Sequence, residues 1–379
     1  MRAVLLVGGQ GTRLRPLTLT CPKPLLPVAN QAFVERQLTW LATHGVDDVV
    51  LSMGYLPDAF REHFPDGRFE CAAGVVSLRY AVEAEPLGTA GAIRFAAAAF
   101  EDPPDATAGT APAGERMIVC NGDVLTDLDL GALVALHADR GAAATVALSQ
   151  VEDPSAFGVV PTKPDGEVES FVEKPPRDEA PTNWINAGTY VLEPEILDLI
   201  PAGRNVSVER ETFPHLLETP GRLYALEADC YWLDVGTPAL YLRAHRDVVD
   251  GRLGTPPSPG AEEISPGVWV QGTVDVAATA QLTGPLLLGE GAVVAGDAVV
   301  GTSSIGRGVT VGPGAVVEAS VLLDGVHVED GSAVRGSILG RGAVLDSGAV
   351  VTDESVVGAG VTIPTGSTVS AGRVPVPSD

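Results

Sequence analysis

The sequence predicts a two-part chain: an α/β domain on a mixed, mostly parallel sheet, followed by a parallel β-helix of hexapeptide repeats. Residues 1 to about 245 alternate short β-branched runs with amphipathic helical patterns. The Pro- and Gly-rich segment GRLGTPPSPG (251–260) then interrupts that alternation. Beyond it helical periodicity disappears, and aliphatic residues recur every six positions. A length of 379 residues is also long for one hydrophobic core, which favours two domains.

In chain order the first part reads AVLLV (3–7), the helical FVERQLTWLATHG (33–45), DDVVLSM (47–53) and the helical AFREHF (59–64). A small strand, SLRYAVE (77–83), precedes an alanine-rich helix, TAGAIRFAAAAF (89–100), and RMIVCNGD (116–123) follows. Strands alternating with helices build βαβ units, hence a Rossmann-like, mostly parallel sheet. PPDATAGTAPAG (103–114) reads as a mobile surface loop. The expected division is a domain over 1–250, a linker over 251–262 and a β-helix over 263–379.

The coil signal rests on named positions. Leu288, Val294 and Val300 share one register, and Ile305, Val311, Val317 and Leu323 a second. Val328 and Val334 follow, then Leu339, Leu345, Val351, Val357, Ile363 and Val369. The register slips by one residue at three places and resumes each time. In such a coil three short strands make one turn, and the aliphatic residue points inward. One turn cannot bury its apolar face alone, so coils stack, and their exposed surfaces commonly become subunit contacts. A homo-oligomer through the β-helix is therefore expected. Acyl transfer on a coil of this kind needs a histidine base, and His327 in GVHVEDG is its sole candidate.

Composition narrows the function classes. A net charge of −25 argues against binding nucleic acid or anionic membranes. No apolar run approaches the roughly 20 residues that span a bilayer, and Met1-Arg2 leads straight into a strand, so a cytoplasmic location is expected. The four cysteines (Cys21, Cys71, Cys120, Cys230) lack CxxC spacing, which suits reduced, buried thiols. Only three of the 24 basic residues are lysine: Lys23, Lys163 and Lys174. Lysine is a compact point charge where arginine is a planar fork, so its use at Pro-Lys-Pro and Glu-Lys-Pro is informative at a phosphate.

The stretch VGGQGTRLRPLTLTCPKPL (7–25) lacks both GxxxxGK[ST] and a complete GxGxxG. It still has what a polyphosphate needs. Gly8, Gly9 and Gly11 allow backbone N–H groups to approach phosphate oxygens, and Arg13 and Lys23 supply charge. Prolines at 16, 22, 24 and 27 stiffen the return. Asp123 and Asp234 each follow an apolar run, at strand ends where open α/β sheets bind ligands. Two such carboxylates plus substrate phosphates suffice for Mg²⁺. In FVEKP (171–175), Glu173 and Lys174 are expected on opposite sides of an extended segment, and INAGTY (185–190) offers Asn186 and the Gly188 backbone to a polyol. Each piece alone is also ordinary turn or strand sequence. The combination points to a nucleotide and a sugar.

GGQGTRLRPLT, PKPLLPV, EPLGTAGA, NGD, FGVV, FVEKP, NAGTYVL and LDVGTP, in that order, resemble the sugar-nucleotide pyrophosphorylases, nucleotidyltransferases that act on sugar 1-phosphates. The resemblance covers residues 1–245, and a left-handed β-helix is a frequent partner domain in that family. It implies attack of a sugar 1-phosphate on the α-phosphorus of a nucleoside triphosphate with release of pyrophosphate. By the same resemblance Gly8, Gly9, Gly11, Thr12 and Arg13 would cradle the triphosphate, with Arg13, Lys23 and Asp123 catalytic. Asp123 and Asp234 would hold Mg²⁺. Gly158, Glu173, Lys174, Asn186 and Gly188 would take the sugar phosphate. Gly88 and Thr89 would form the base-binding turn.

Members that use uracil or thymine carry glutamine five residues before that turn's glycine; here the residue is Glu83. Glutamate only accepts hydrogen bonds, and guanine presents N1–H and N2–H₂ side by side as donors. The resemblance thus favours GTP with mannose 1-phosphate. The alternatives are thymidylyl, uridylyl or adenylyl transfer to glucose 1-phosphate, and a non-catalytic homologue that senses a sugar nucleotide.

Overall fold

A computed structural model of the chain describes residues 1–100 and 115–375; the expected surface loop at 103–114 lies outside the described residues. The chain forms two compact units, Met1–Gly9 with Val34–Trp232, and Gln10–Phe33 with Leu233–Asp379.

The first unit is built on a ten-stranded mixed sheet. Its strands are β1 (Arg2–Leu6), β2 (Asp48–Met53), β3 (Arg68–Cys71), β4 (Gly74–Val82) and β5 (Met117–Asn121). They continue with β6 (Ala144–Gln150), β7 (Gly158–Val159), β8 (Val172–Glu173), β9 (Trp184–Leu192) and β10 (Leu223–Ala228). The order is β8-β7-β9-β5-β1-β2-β4-β3, with β6 pairing both β9 and β10. The core is parallel: β1 pairs β2 on one side and β5 on the other, and β2 pairs β4. The antiparallel partners β9 and β3 flank it.

Strands buried on both faces read as continuous apolar runs, and Ala3, Val4 and Leu5 of β1 are fully buried. The helices α1 (Phe33–Thr43), α2 (Pro57–His63) and α3 (Gly88–Ala97) follow the expected segments, and α4 (Leu130–Arg140) adds a fourth. On α1 the buried stripe is Phe33, Val34, Leu38 and Leu41, the helical spacing. Asp129 caps α4 by accepting from the Ala132 N–H, and Gly141 closes it in the left-handed region.

The second unit contains α5 (Pro238–Val249) and the coil. Thr237 caps α5, and proline occupies its first turn. The coil is a parallel β-helix of three sheets, one of eight strands and two of six. Ala261–Ser265 pairs antiparallel with Val268–Gln271 at its start. Inward residues stack in columns: Leu288, Ile305, Leu322, Leu339 and Val357 on one sheet, and Val294, Val311, Val328, Leu345 and Ile363 on the next. Burying each such side chain contributes about 1.5–3 kcal/mol.

One register differs from expectation. Leu322, not Leu323, pairs with Ile305, so the slip falls between Val317 and Leu322. The reason is a recurring short corner. Thr302, Ala319 and Gly336 take positive φ there, each followed by a buried serine: Ser303, Ser320 and Ser337. The Ser320 N–H donates to Ser303 Oγ at 3.1 Å and the Ser337 N–H to Ser320 Oγ at 3.2 Å. A serine ladder thus replaces one residue of the sixfold period at each of these corners.

Candidate active site

β1 has its two parallel neighbours on opposite sides, so the order reverses between β1 and β5, and ligands bind at such a switch point beyond the carboxyl ends. Leu6 pairs with Asn121, and the Gly122 N–H donates to Leu6 O at 2.8 Å. This brings the Gly8–Gly9 turn and Asn121-Gly122-Asp123 to the same sheet edge. A Cβ at Gly122 would lie 2.5 Å from Leu6 O, so only glycine permits the approach. Gly8 backs onto Gly54, whereas a Cβ at Gly9 would meet nothing within 4 Å. Open space above Gly9 is what a phosphate group needs.

Three residues that the sequence did not flag shape this edge. Gln37, on α1 and nearly fully buried, donates from Nε2 to Asn121 O at 2.9 Å and Val124 O at 3.0 Å. It brackets Gly122 and Asp123. Tyr190 and Glu209 form the other support. Strand β9 changes register between Asn186 and Tyr190, and within that bulge Gly188 takes φ +72 against the Asn121 side chain. Asn186 donates to Tyr190 Oη at 2.8 Å and accepts from the Gly188 N–H at 2.9 Å. Tyr190 donates to Glu209 at 3.2 Å. Burial, reinforced by the Glu209 charge, holds the Tyr190 phenol well above its usual range, so it stays a donor.

Glu209 also accepts from Thr89 at 2.8 Å and from Ser207 at 2.8 Å. Thr89 therefore ties α3 to this network, and its Oγ1 accepts the Val208 N–H at 2.8 Å. Gly88, at φ +69, leaves no room for a Cβ, which would sit 2.5 Å from Val206 O. Glu83 braces the same turn. One oxygen accepts from Ser52 Oγ at 3.1 Å and the other from the Leu87 N–H at 3.0 Å.

Gly158, Glu173, Lys174, Asn186, Glu209 and Arg210 line a cleft of about 510 Å³ in the same unit. Glu173 and Lys174 do not point apart, as an extended pair would. Lys174 takes φ +47, which breaks the alternation and turns both side chains into the cleft, with Nζ 3.7 Å from Glu173 Oε1. Arg210 lies 3.0 Å from the same oxygen. The cleft thus offers two cations flanking one carboxylate, suited to a phosphorylated polyol.

The second unit holds the remaining predicted residues. Gly11, at φ +60, opens the short helix Thr12–Leu14, and Thr18 Oγ1 donates to Gly11 O at 2.9 Å. A Cβ on Gly11 would lie 3.1 Å from Lys23 Cβ, so the lysine stem crosses directly over this glycine. Arg13 lies across Gly236: a Cβ there would be 2.5 Å from a guanidinium nitrogen. Gly236 follows Asp234, the last residue of the strand Trp232–Asp234. Lys23, Gly11, Arg13 and the Asp234–Gly236 turn are thereby grouped. Asp123 belongs to the first unit and Asp234 to the second.

No cluster of three or more His, Cys, Asp or Glu side chains is placed to hold a metal among the described residues. Asp123 and Asp234 supply hard carboxylate oxygens, which fit Mg²⁺ of the kind completed by substrate phosphates and water. The thiols are free, and burial pushes Cys120 up to about 12 and Cys21 up to about 11, so neither is a nucleophile near neutrality. His327 is exposed and pairs with Thr310 Oγ1 on the neighbouring rung at 2.7 Å. Among the described residues no helix is long and apolar enough to cross a membrane.

The nucleotidyl transferase family matches residues 2–251, and the left-handed β-helix domain of the EIF2B epsilon subunit matches residues 266–369. A mannose-1-phosphate guanylyltransferase of Mycobacterium tuberculosis is 39% identical over 302 residues, 77% of this chain and 79% of the relative. Mannose-1-phosphate guanylyltransferase 1 of Arabidopsis thaliana is 36% identical over 301 residues, 79% of this chain and 76% of the relative. HddC from Yersinia pseudotuberculosis, solved in complex with GMP-PN, superposes with a TM-score of 0.53 at 28% identity, covering 65% of this chain and 98% of that one. With the family matched over its first two thirds, the chain belongs to the nucleotidyl transferase family, and it carries a left-handed β-helix behind that domain.

Proposed function

We propose that this chain is a mannose-1-phosphate guanylyltransferase: with Mg²⁺ it transfers GMP from GTP to mannose 1-phosphate, yielding GDP-mannose and pyrophosphate. The observation that carries the reading is the switch point, where the Gly8–Gly9 turn and Asn121-Gly122-Asp123 meet beside the Gly188 bulge. The two guanylyltransferase relatives support the choice of substrates.

In this reading a phosphate oxygen of mannose 1-phosphate attacks the α-phosphorus of GTP. The new P–O bond forms as the bond to the bridging oxygen breaks, and the electron pair leaves with pyrophosphate. Catalysis is then mostly positioning and charge neutralisation. Backbone N–H groups at Gly8, Gly9, Gly11 and Thr12 receive the triphosphate. Arg13 stabilises charge on the α-phosphate and the departing pyrophosphate, and Lys23 holds α-phosphate oxygens. Asp123 and Asp234 are assigned as the carboxylates for Mg²⁺, whose contribution when bound is to neutralise triphosphate charge. Lys174 clamps the sugar phosphate, while Glu173, Asn186 and the backbone at Gly158 and Gly188 contact the sugar. Gly88 and Thr89 shape the base turn. Glu83 both braces that turn and offers its remaining lone pairs to guanine N1–H and N2–H₂.

The β-helix is assigned a role in homo-oligomer assembly, read by the solution mass of the full chain, and the location is assigned as cytoplasmic. The test of the reaction is pyrophosphate release with Mg²⁺ across four nucleoside triphosphates, each with mannose 1-phosphate and with glucose 1-phosphate. GTP with mannose 1-phosphate should dominate. Preference for dTTP or UTP with glucose 1-phosphate would overturn the substrate assignment, and no turnover with any pair would overturn the enzyme.

A further inference from the structure

Residues 10–33 carry Lys23, and by contacts they cluster with the β-helix unit. Three anchors account for this. Asn30, at φ +61, donates from Nδ2 to the carbonyl of Ile305 at 2.9 Å, and that carbonyl also receives the Gly289 N–H within the coil. His245 on α5 accepts the Ala29 N–H at Nδ1 (3.2 Å) and bonds Pro27 O through Nε2 (2.9 Å), which fixes one neutral tautomer. Gly358, on the coil, packs against the loop: a Cβ there would lie 3.3 Å from Pro16 and 3.2 Å from Pro375, so a side chain would press on both. The loop is thus held at Pro16 and at Pro27–Asn30, and Lys23 stands between the two anchors.

We propose that the β-helix is a positioning part of the nucleotide site: through Ile305, Gly358 and α5 it braces the return arm of the loop and so keeps Lys23 over Gly11. Asn30 is a positioning residue in this scheme; it touches no reacting group. The inference rests on the reading of residues 8–23 as the triphosphate loop. It gives the coil a part in every turnover, beyond assembly. Prolines at 16, 22, 24 and 27 suit the purpose, since a stiff arm transmits a remote anchor to its middle.

The experiment uses the full-length chain with Asn30→Ala, Gly358→Val and a control, Val328→Ala, which opens a cavity in the coil core on a different sheet from the one that carries Ile305. Steady-state kinetics with GTP and mannose 1-phosphate are paired with hydrogen exchange of amides 25–33. Loss of one hydrogen bond should raise KM for GTP about fivefold in Asn30→Ala while KM for mannose 1-phosphate stays within about twofold. Gly358→Val should act in the same direction, and both variants should speed exchange at Ala29 and Phe33. Val328→Ala should lower the melting temperature and leave KM for GTP unchanged. Wild-type kinetics and exchange in both loop variants would overturn the brace, as would an equal rise of KM in Val328→Ala. If the wild-type chain turns over no substrate, the functional reading fails, and the exchange comparison still decides the brace.

Discussion

Gly236→Ala places one methyl group beneath the Arg13 guanidinium. The added Cβ would lie 2.5 Å from one guanidinium nitrogen and 2.9 Å from the guanidinium carbon. Ordinary contact begins near 3.4 Å, so the head group must move by about 1 Å, and a displacement of that size at a charge-stabilising group costs on the order of 100-fold in rate. The fold should not suffer. Gly236 has no positive φ, and what must yield is the far end of an exposed, flexible side chain. Removing a glycine also lowers the entropy of the unfolded chain, which favours the native state by about 0.4–1 kcal/mol. The expected signature is therefore a melting temperature unchanged or slightly raised, with kcat/KM down about 100-fold in pyrophosphate release. A cycle with Arg13→Ala locates the cause: the double variant should be no slower than Arg13→Ala alone. A normal rate in Gly236→Ala, or additive losses in the cycle, would refute the assignment of Arg13.

Asp123→Asn and Asp234→Asn should each lower Mg²⁺-dependent turnover by about 100-fold or more with the fold intact by circular dichroism; near-normal rate in either removes it from the ligand set. Glu83→Gln should narrow the preference for GTP over UTP, since the amide can donate to a pyrimidine carbonyl and still brace Leu87 through its oxygen. Unchanged relative efficiencies would leave Glu83 only its structural task. Gln37→Met removes both donors that bracket Gly122-Asp123 and should destabilise the chain by about 2 kcal/mol while raising the Mg²⁺ concentration needed for half-maximal rate. Loss of stability without a change in that requirement would make Gln37 a fold residue alone.

Both architectures were legible in the sequence because each rests on a period. The six-residue recurrence of Ile305, Val311 and Val317 identifies a coil, and AVLLV followed by a helical stripe identifies a βα unit. What the sequence hid depends on φ or on distant pairing. Lys174 reads as one more extended residue; only its positive φ turns it into the cleft beside Glu173. Leu322 and Leu323 are adjacent aliphatics, and the serine corner that chooses between them becomes visible only when Ser303, Ser320 and Ser337 stack. Glu209 sits in VSVERE without any motif, and it reaches Tyr190 and Thr89 because residues 206–208 fold back onto α3. Gln37 gave no signal either, since a polar residue on the buried face of a helix carries no periodicity of its own. The glycines of the loop, Asp123 and Asp234 could be put forward as candidates from the sequence because close backbone approach and strand-end placement restrict residue type strongly.

The most direct measurement is pyrophosphate release by the full-length chain with Mg²⁺, run with GTP, UTP, dTTP and ATP against mannose 1-phosphate and glucose 1-phosphate. The account predicts that GTP with mannose 1-phosphate is turned over at least about 100-fold more efficiently than UTP or dTTP with either sugar phosphate, because a base-reading carboxylate repels a pyrimidine carbonyl where it attracts guanine donors. Equal or greater efficiency with a pyrimidine nucleotide and glucose 1-phosphate would contradict it.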